Sequence, residues 1–285
     1  MNLPQFYVDE IIKKAITEDI NYIDVSTDFL IEPQQKGSAK FLAKEDGVLC
    51  GLPVALRVFE LLDESFSAVI FKNDGDIIKK GDIIAELSGK TAMLLKGERT
   101  ALNLLQHMSG IATATAQSVE LTKGTKATIA DTRKTIPGLR ALQKYAVTCG
   151  GGKNHRFNLS DAAMLKDNHI DAGGGIENAV KIVRSKLGHT VKIEVETRNL
   201  DEVEQAINAG AEIIMLDNMD NETMKKAVEL VNGRAKLEAS GGITLETIAE
   251  VAKTGVDIIS IGALTHSVQA FDISMKIAKP HTVGF

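Results

Sequence analysis

No apolar run in the sequence approaches the roughly 18 residues needed to span a bilayer, so no membrane partner is expected. The start, Met1 to Asp19, mixes acids and lysines with apolar residues. It lacks the basic stretch, apolar core and small-residue cleavage site of a secretory leader and reads instead as a helix. Cysteine is scarce: Cys50 and Cys149 have no motif spacing and suggest no disulfide framework. A reducing cytoplasm is therefore the expected location, which makes Asn158-Leu-Ser and Asn221-Glu-Thr chance matches to a glycosylation signal. The common nucleotide signatures are missing. Gly150-Gly-Gly-Lys-Asn fails the phosphate-loop pattern, Gly173-Gly-Gly fails the dinucleotide fingerprint, and there is no His-Glu-x-x-His or Cys-x-x-Cys. No Ser–His–Asp arrangement can be read from the order. Net positive charge is lacking as well: a balance of −5 argues against non-specific nucleic-acid binding.

What is present is ordinary in amount and unusual in distribution. The 285 residues, 44% hydrophobic and 25% charged, suit a globular protein of one large or two medium domains. From Arg99 to His169, however, ten lysines and arginines face four acids, a local excess of +6, while the remainder carries 23 basic residues against 34 acids, or −11. A basic segment inside an acidic chain is either a solvated helix face or a pocket for a polyanionic small molecule.

The second half is regular. Apolar runs rich in Val and Ile recur at Ala127–Ala130, Val191–Val195, Glu212–Leu216, Ala235–Ala239 and Asp257–Ile261, as strands buried on both faces of a parallel sheet would. Helical patterns lie between them. Asn199 can cap Leu200–Ala209 ahead of Gly210, Asn221 can cap a helix ending near Gly233, and Thr244 can cap Leu245–Lys253. Asn208-Ala-Gly-Ala-Glu-Ile-Ile resembles Lys253-Thr-Gly-Val-Asp-Ile-Ile, a repeat of 45 residues or about two strand–helix units. That rhythm predicts a β/α barrel, with its site at the C-terminal ends of the strands. The first hundred residues differ. Lys36–Ala43 and Ala68–Lys72 alternate like half-exposed strands, Gly51–Leu62 reads as a helix opened by Pro53, and Asp74-Gly-Asp-Ile-Ile-Lys-Lys-Gly-Asp predicts a hairpin. The domain boundary is expected in a helix Lys96–Met108, giving domains 1–107 and 108–274, with 275–285 returning to the first.

Candidate chemistry clusters at the predicted strand ends. Asp131-Thr-Arg-Lys-Thr follows a strand, so Arg133 and Lys134 fall in a loop on the site face. Gly150-Gly-Gly-Lys-Asn-His-Arg lets backbone approach a ligand and supplies His155 and Arg156; Lys166 follows the apolar step Met164-Leu. Arginine forks suit planar carboxylates, and lysine suits a compact charge. Any one such cation is ordinarily a surface residue; five tied to glycines and strand ends weaken that reading. Glu194 and Glu196 share a strand face by alternation, and Asp217 ends the next strand. Acids facing a cationic pocket suggest Mg²⁺ held by one or two carboxylates and substrate oxygens. Glu238-Ala-Ser-Gly-Gly and Ser260-Ile-Gly close the last units, where barrels bind phosphate. The residues thus predict a site for a carboxylate-bearing acceptor, a phosphate and a magnesium-bound polyphosphate. A barrel lyase using Lys166 as a Schiff-base nucleophile and a metabolite-binding regulator remain as alternatives.

Nine runs carry a resemblance: Glu98-Arg-Thr-Ala-Leu-Asn-Leu-Leu-Gln, Thr132-Arg-Lys-Thr-Ile-Pro-Gly-Leu-Arg, Lys144-Tyr-Ala-Val, Gly150-Gly-Gly-Lys-Asn-His-Arg, Leu165-Lys-Asp-Asn-His, Glu194-Val-Glu-Thr, Leu216-Asp-Asn, Glu238-Ala-Ser-Gly-Gly-Ile and Leu264-Thr-His-Ser. In this order they resemble the quinolinate phosphoribosyltransferases over nearly the whole chain. Ile136 stands where a second threonine is common and Asn158 where a glycine is common; neither is a charged contact. The resemblance implies an α/β protein with an N-terminal α/β sandwich and a C-terminal open, incomplete β/α barrel. It implies a homodimer in which one subunit's N-terminal domain covers the other's barrel. It further implies that Thr132, Arg133, Lys134, His155, Arg156 and Lys166 line a quinolinate pocket, with Arg99 reaching in from the partner. Glu196 and Asp217 would serve the ribose hydroxyls and Mg²⁺–pyrophosphate of phosphoribosyl pyrophosphate. Ser240, Gly241, Gly242 and Gly262 would hold the 5′-phosphate, and Lys134, Lys166, Glu196 and Asp217 would carry the chemistry. A related transferase acting on nicotinate is the nearest alternative.

Overall fold

The computed structural model describes residues 3–278. In chain order the elements are α1 (Gln5–Asp19), α2 (Thr27–Leu30), β1 (Lys36–Ala43), β2 (Gly47–Val48), α3 (Leu52–Leu62), β3 (Ser67–Ile70), β4 (Ile77–Ile78), β5 (Ile83–Lys90) and α4 (Thr91–Glu120). Then come β6 (Thr128–Ala130), α5 (Arg140–Cys149), β7 (Ala163–Leu165), α6 (Asp167–Ala172), α7 (Ile176–Arg184), β8 (Ile193–Thr197), α8 (Leu200–Asn208) and β9 (Ile213–Asp217). The series ends with α9 (Asn221–Val231), β10 (Lys236–Ser240), α10 (Ile248–Lys253), β11 (Ile258–Ser260), α11 (Ala263–His266) and β12 (Ile273–Ile277). No helix among the described residues is long and apolar enough to cross a membrane.

The chain divides into two compact units. One comprises the residues up to Ala114, 136–150 and those from Ser267 on; the other comprises Thr115–Thr135 and Gly151–His266. The expected domains, 1–107 completed by 275–285 and 108–274, differ from this grouping chiefly at 108–114, 136–150 and 267–274, which fall in the first unit. Helix α5 joins the first unit because its polar side chains bond there: Tyr145 Oη donates to Asp74 Oδ2 at 2.9 Å, and the Gln143 amide meets His107 Nε2 at 2.9 Å. Residues 279–285, expected to complete the first domain, lie outside the described residues.

In the first unit an antiparallel sheet runs β12-β1-β5-β3. Strand β1 alternates as predicted: Ala39, Phe41 and Ala43 are buried. Phe59 of α3 meets Phe41 across a centroid distance of 6.2 Å and stacks on Phe66 at 5.3 Å, which fixes α3 on that face. Burying two such rings completely stabilises the unit by about 2–3 kcal/mol each. The expected hairpin over 74–82 is two tight turns instead. Between them β4 pairs with β2, not with β5, because Asp76 and Asp82 accept the backbone N–H of Asn73 and Lys79 and close each turn on itself. The expected helix Lys96–Met108 is the middle of the 30-residue α4.

In the second unit six parallel strands run in the order β6-β11-β10-β9-β8-β7. The consecutive strands β6 and β7 occupy opposite ends of that order and do not pair, so the barrel is open between them. Its strands are buried nearly throughout, as a doubly covered parallel sheet requires. Asn199 caps α8 through the Glu202 N–H, as expected. For α9 the cap is Asp220 rather than Asn221, one residue earlier, where the carboxylate reaches the Thr223 N–H at 2.7 Å. Helix α10 starts at Ile248, not Leu245, since Thr244 and Thr247 bond each other in a turn.

Candidate active site

Parallel strands all end at one rim, so residues far apart in sequence are delivered to one place. A cavity of about 530 Å³ opens there. It is lined by Thr132, Arg133 and Lys134 after β6, by His155 and Arg156, by Lys166 after β7, by Glu196 of β8, by Asp217 and Asn218 at the end of β9, by Glu238 and Ser240 of β10, and by Ser260 of β11, with Met164 and Met215. The five predicted cations and both predicted acids therefore meet. Gly241, Gly242 and Gly262 sit in the loops directly after β10 and β11. Arg99, exposed on α4 in the first unit, does not line this cavity.

The loop after β6 is held by its own short bonds. The Lys134 N–H donates to Thr132 Oγ1 at 3.0 Å, and Thr265 Oγ1 donates to the Lys134 carbonyl at 2.8 Å. Gly262 lets the Lys134 stem pass: a Cβ there would lie 2.9 Å from Lys134 Cδ. Gly241 is required twice over. Its φ is +93°, and a Cβ would sit 2.3 Å from Asn218 Oδ1. Asn218 itself holds Asp217, donating from Nδ2 to Oδ2 at 2.9 Å.

The Gly150–Arg156 segment is carried to the rim by Asp131, which is fully buried. Its carboxylate accepts from the His155 N–H at 2.8 Å and from Asn154 Nδ2 at 2.7 Å, while Lys153 bridges to the end of β6. His155 was expected to offer donors to a ligand, yet both ring nitrogens are engaged inside the protein. Nδ1 accepts from the Arg156 N–H at 2.8 Å, and Nε2 lies 3.0 Å from Glu194 Oε2 and 3.6 Å from Glu238 Oε1. This trio, two buried carboxylates and a partly exposed imidazole, has donor types and spacings that a cation could also use. Burial, then the Glu194 charge, pushes the Glu238 carboxyl up to about 7, with His155 opposing.

A carboxyl raised from 4.5 to about 7 by folding adds stability that is complete below about 4.5 and is lost as pH rises through about 7. Glu238→Gln is therefore expected to flatten the dependence of the denaturation midpoint on pH over that window. An unchanged slope would show that Glu238 does not titrate there.

Two guanidinium groups line the cavity. Arg156 Nη1 donates to the Ala162 carbonyl at 2.9 Å, and its Nη2 approaches Met164 Sδ at 3.5 Å. Neither Arg133 nor Arg156 has an acidic partner within 4.0 Å among the described residues, and Arg133 Nε is buried without any hydrogen-bond partner. Burial, then the charge of Arg133, holds Arg156 below its usual range. Two like charges held close together and partly shielded from water favour an anion between them. In the same cavity Lys166 Nζ stands 3.9 Å from Glu196 Oε2. Burial raises the Glu196 carboxyl; Lys166 opposes, and Asp217 adds to the rise.

Asp131 and Glu238 fall within the motifs without an expected role, and Glu194 was expected only as an acid sharing a face with Glu196; Asn218, Met164 and Met215 were not expected at the site. A signal was present for the first three. Each is an acid inside or directly after an apolar strand, where a carboxylate persists only with buried partners.

The family description "Quinolinate phosphoribosyl transferase, N-terminal domain" matches residues 24–109, and "Quinolinate phosphoribosyl transferase, C-terminal domain" matches 111–276. A relative from Bacillus subtilis, "Probable nicotinate-nucleotide pyrophosphorylase [carboxylating]", is 47% identical over 260 residues, covering 91% of this chain and 90% of that one. The crystal structure of NadC from Streptococcus pyogenes superposes with a TM-score of 0.94 at 43% identity, covering 98% of this chain and 99% of that one. The nicotinate-nucleotide pyrophosphorylase of Francisella tularensis gives 0.93 at 40%, covering 97% and 98%. Matched in both halves and in the same order, the chain belongs to the quinolinate phosphoribosyltransferase family.

Proposed function

We propose that this protein transfers the phosphoribosyl group of phosphoribosyl pyrophosphate to quinolinate with loss of carbon dioxide, giving nicotinate mononucleotide and pyrophosphate for NAD biosynthesis. The observation that carries this reading is the pair Arg133 and Arg156, half-buried, close to each other and without an ion-pair partner among the described residues, in a cavity that also holds Glu196 and Asp217. A dicarboxylate satisfies the arginines; a sugar centre that becomes positive in the transition state is stabilised by the acids.

In this reading Arg133, Arg156 and Thr132 bind and orient the quinolinate carboxylates so that the ring nitrogen faces the anomeric carbon. His155, locked by Glu194, fixes the backbone that carries Arg156. Glu196 and Asp217 hold the ribose hydroxyls and favour the oxocarbenium-like state. Lys134 and Lys166 take up charge on the departing pyrophosphate, while Ser240, Gly241, Gly242 and Gly262 fix the 5′-phosphate through backbone N–H groups. Once the ring nitrogen is bonded to ribose it is cationic, and a cationic ring stabilises the electron pair left as the adjacent carboxylate departs. Bringing two anions into attack geometry is the largest task, and positioning alone can supply roughly 7–11 kcal/mol of a barrier.

Glu196 and Asp217 also fit a hard cation. They face each other closely enough for Asp217 to raise the Glu196 carboxyl, a repulsion that an oxygen-seeking ion relieves. Mg²⁺ held there with the substrate's phosphate oxygens would supply charge neutralisation for the leaving group.

Incubation with quinolinate, phosphoribosyl pyrophosphate and Mg²⁺ tests the proposal. Nicotinate mononucleotide and carbon dioxide should appear in equal amounts. Turnover of nicotinate without carbon dioxide would instead assign a different acceptor.

The same reading makes the enzyme a cytoplasmic homodimer in which Arg99 serves the partner's cavity. Arg99→Ala and Lys166→Ala proteins, each strongly impaired alone, should regain activity when mixed under conditions of subunit exchange. Random exchange makes half the dimers mixed, each with one unaltered site, so recovery should approach about a quarter of the original rate. No recovery despite demonstrated exchange would place Arg99 outside the site.

A further inference from the structure

The reaction above uses neither cysteine. Cys50 and Cys149 stand far apart in sequence, and both are free. Yet their sulfurs and a carboxylate oxygen of Asp74 all lie within 4.8 Å of one another in the first unit. Cys50 is fully buried, whereas Cys149 is partly exposed. The Cys50 backbone is clamped to α4: its N–H donates to Ser109 Oγ at 3.0 Å, and the Ser109 hydroxyl donates back to the Cys50 carbonyl at 3.1 Å. Cys149 is the last residue of α5. Asp74 is already held by the Leu52 N–H at 2.9 Å and by the Tyr145 hydroxyl. Asp74 and Tyr145 also border an open cavity of about 470 Å³, which brings solvent to the edge of the cluster.

We propose that Cys149 and Cys50 form a modification site, an oxidant-sensitive thiol and its resolving partner, closed to an intrachain disulfide by peroxides and reopened by small thiols. A disulfide needs sulfurs about 2.05 Å apart, and the remaining approach falls on the Cys149 side chain at the helix end rather than on the clamped Cys50. The two thiols are also unequal. A hydrogen bond from Cys50, assisted by Tyr145, holds the Cys149 thiol below its ordinary value against the effect of burial. Burial pushes the Cys50 thiol well up. The more readily ionised sulfur is thus the partly exposed one.

The steps balance. The Cys149 thiolate attacks one peroxide oxygen, the O–O bond breaks, and the second oxygen leaves as water after taking a proton. The resulting sulfenic acid is attacked by the Cys50 sulfur; its S–O bond breaks, and hydroxide leaves as water with the Cys50 proton. Two thiols lose two electrons, and hydrogen peroxide becomes two waters. Two small thiols reverse the change, giving their own disulfide.

The test uses the whole protein exposed to hydrogen peroxide, denatured, alkylated and weighed. The expected product has lost two hydrogen atoms, takes no alkyl group, yields a Cys50–Cys149 linked peptide and reverts with dithiothreitol. Cys50→Ser should stop at a Cys149 sulfenic acid that dimedone captures. The proposal fails if both thiols remain alkylable or end as separate sulfinic acids. It also fails if the purified protein retains one equivalent of zinc that shields both, which would assign the cluster to a metal. Measurement on the unaltered protein decides these outcomes even where Cys50→Ser does not fold.

Discussion

Replacing Arg133 by alanine should abolish measurable quinolinate binding at concentrations that saturate the unaltered protein. Arg133 follows β6, and its Nε is buried with no partner. Its charge lies close enough to Arg156 to depress that guanidinium. Arg156 has already lost part of its hydration in the folded protein, so a carboxylate gains charge-assisted bonds there without repeating that cost. A forked pair of such bonds is worth about 3–5 kcal/mol, or roughly two to three and a half orders of magnitude in affinity. Arg133→Lys keeps the charge and loses the fork, and it should fall between the two. Titration calorimetry with quinolinate alone reads the effect directly. Near-normal affinity in the alanine variant would remove Arg133 from the pocket.

Lys166→Ala should lower kcat/KM by about 10²–10³-fold, the usual cost of removing one preorganised stabilising group. It should also move the acid limb of the pH profile. Glu196 is raised by burial and by Asp217, and Lys166 is the opposing influence. Without that ammonium, Glu196 gains a proton at a higher pH than before. An activity that needs the Glu196 carboxylate is therefore lost earlier as pH falls. Glu196→Gln should be slow at every pH and show no such limb. A Lys166→Ala profile that is scaled down with its acid limb unmoved would separate Lys166 from Glu196 and leave it a role in binding alone. Lys166 is largely exposed, so salt should blunt the pH shift without restoring the rate.

Much of the site was legible because its signals are local. Arg133, Lys134 and Lys166 each follow a short apolar run, and in a parallel sheet the residue after a strand faces the binding rim whichever strand it is. Glu196 and Asp217 obey the same rule. The acids beneath the rim were not legible as a group. Nothing near Glu194 names Glu238 or His155 as its partner, since the three reach one another only after three separate segments have packed. The first unit was less legible than the second. The pairing of β4 with β2, the return of β12 to β1 and the grouping of α5 with that unit are contacts between distant segments, and their side-chain patterns do not specify a partner.

Alternation and apolar runs, the capping residue of α8, the excess of cations between Arg99 and His169 and the order of the nine motifs belong to the sequence by itself, because each depends on neighbours along the chain. Tertiary structure alone decided that Arg133 and Arg156 come together half-buried with no ion-pair partner among the described residues, that His155 faces inward to two carboxylates, and that the only two cysteines meet beside Asp74. Those outcomes depend on desolvation and distance between groups far apart in the chain, and neither exists until the core has closed around them.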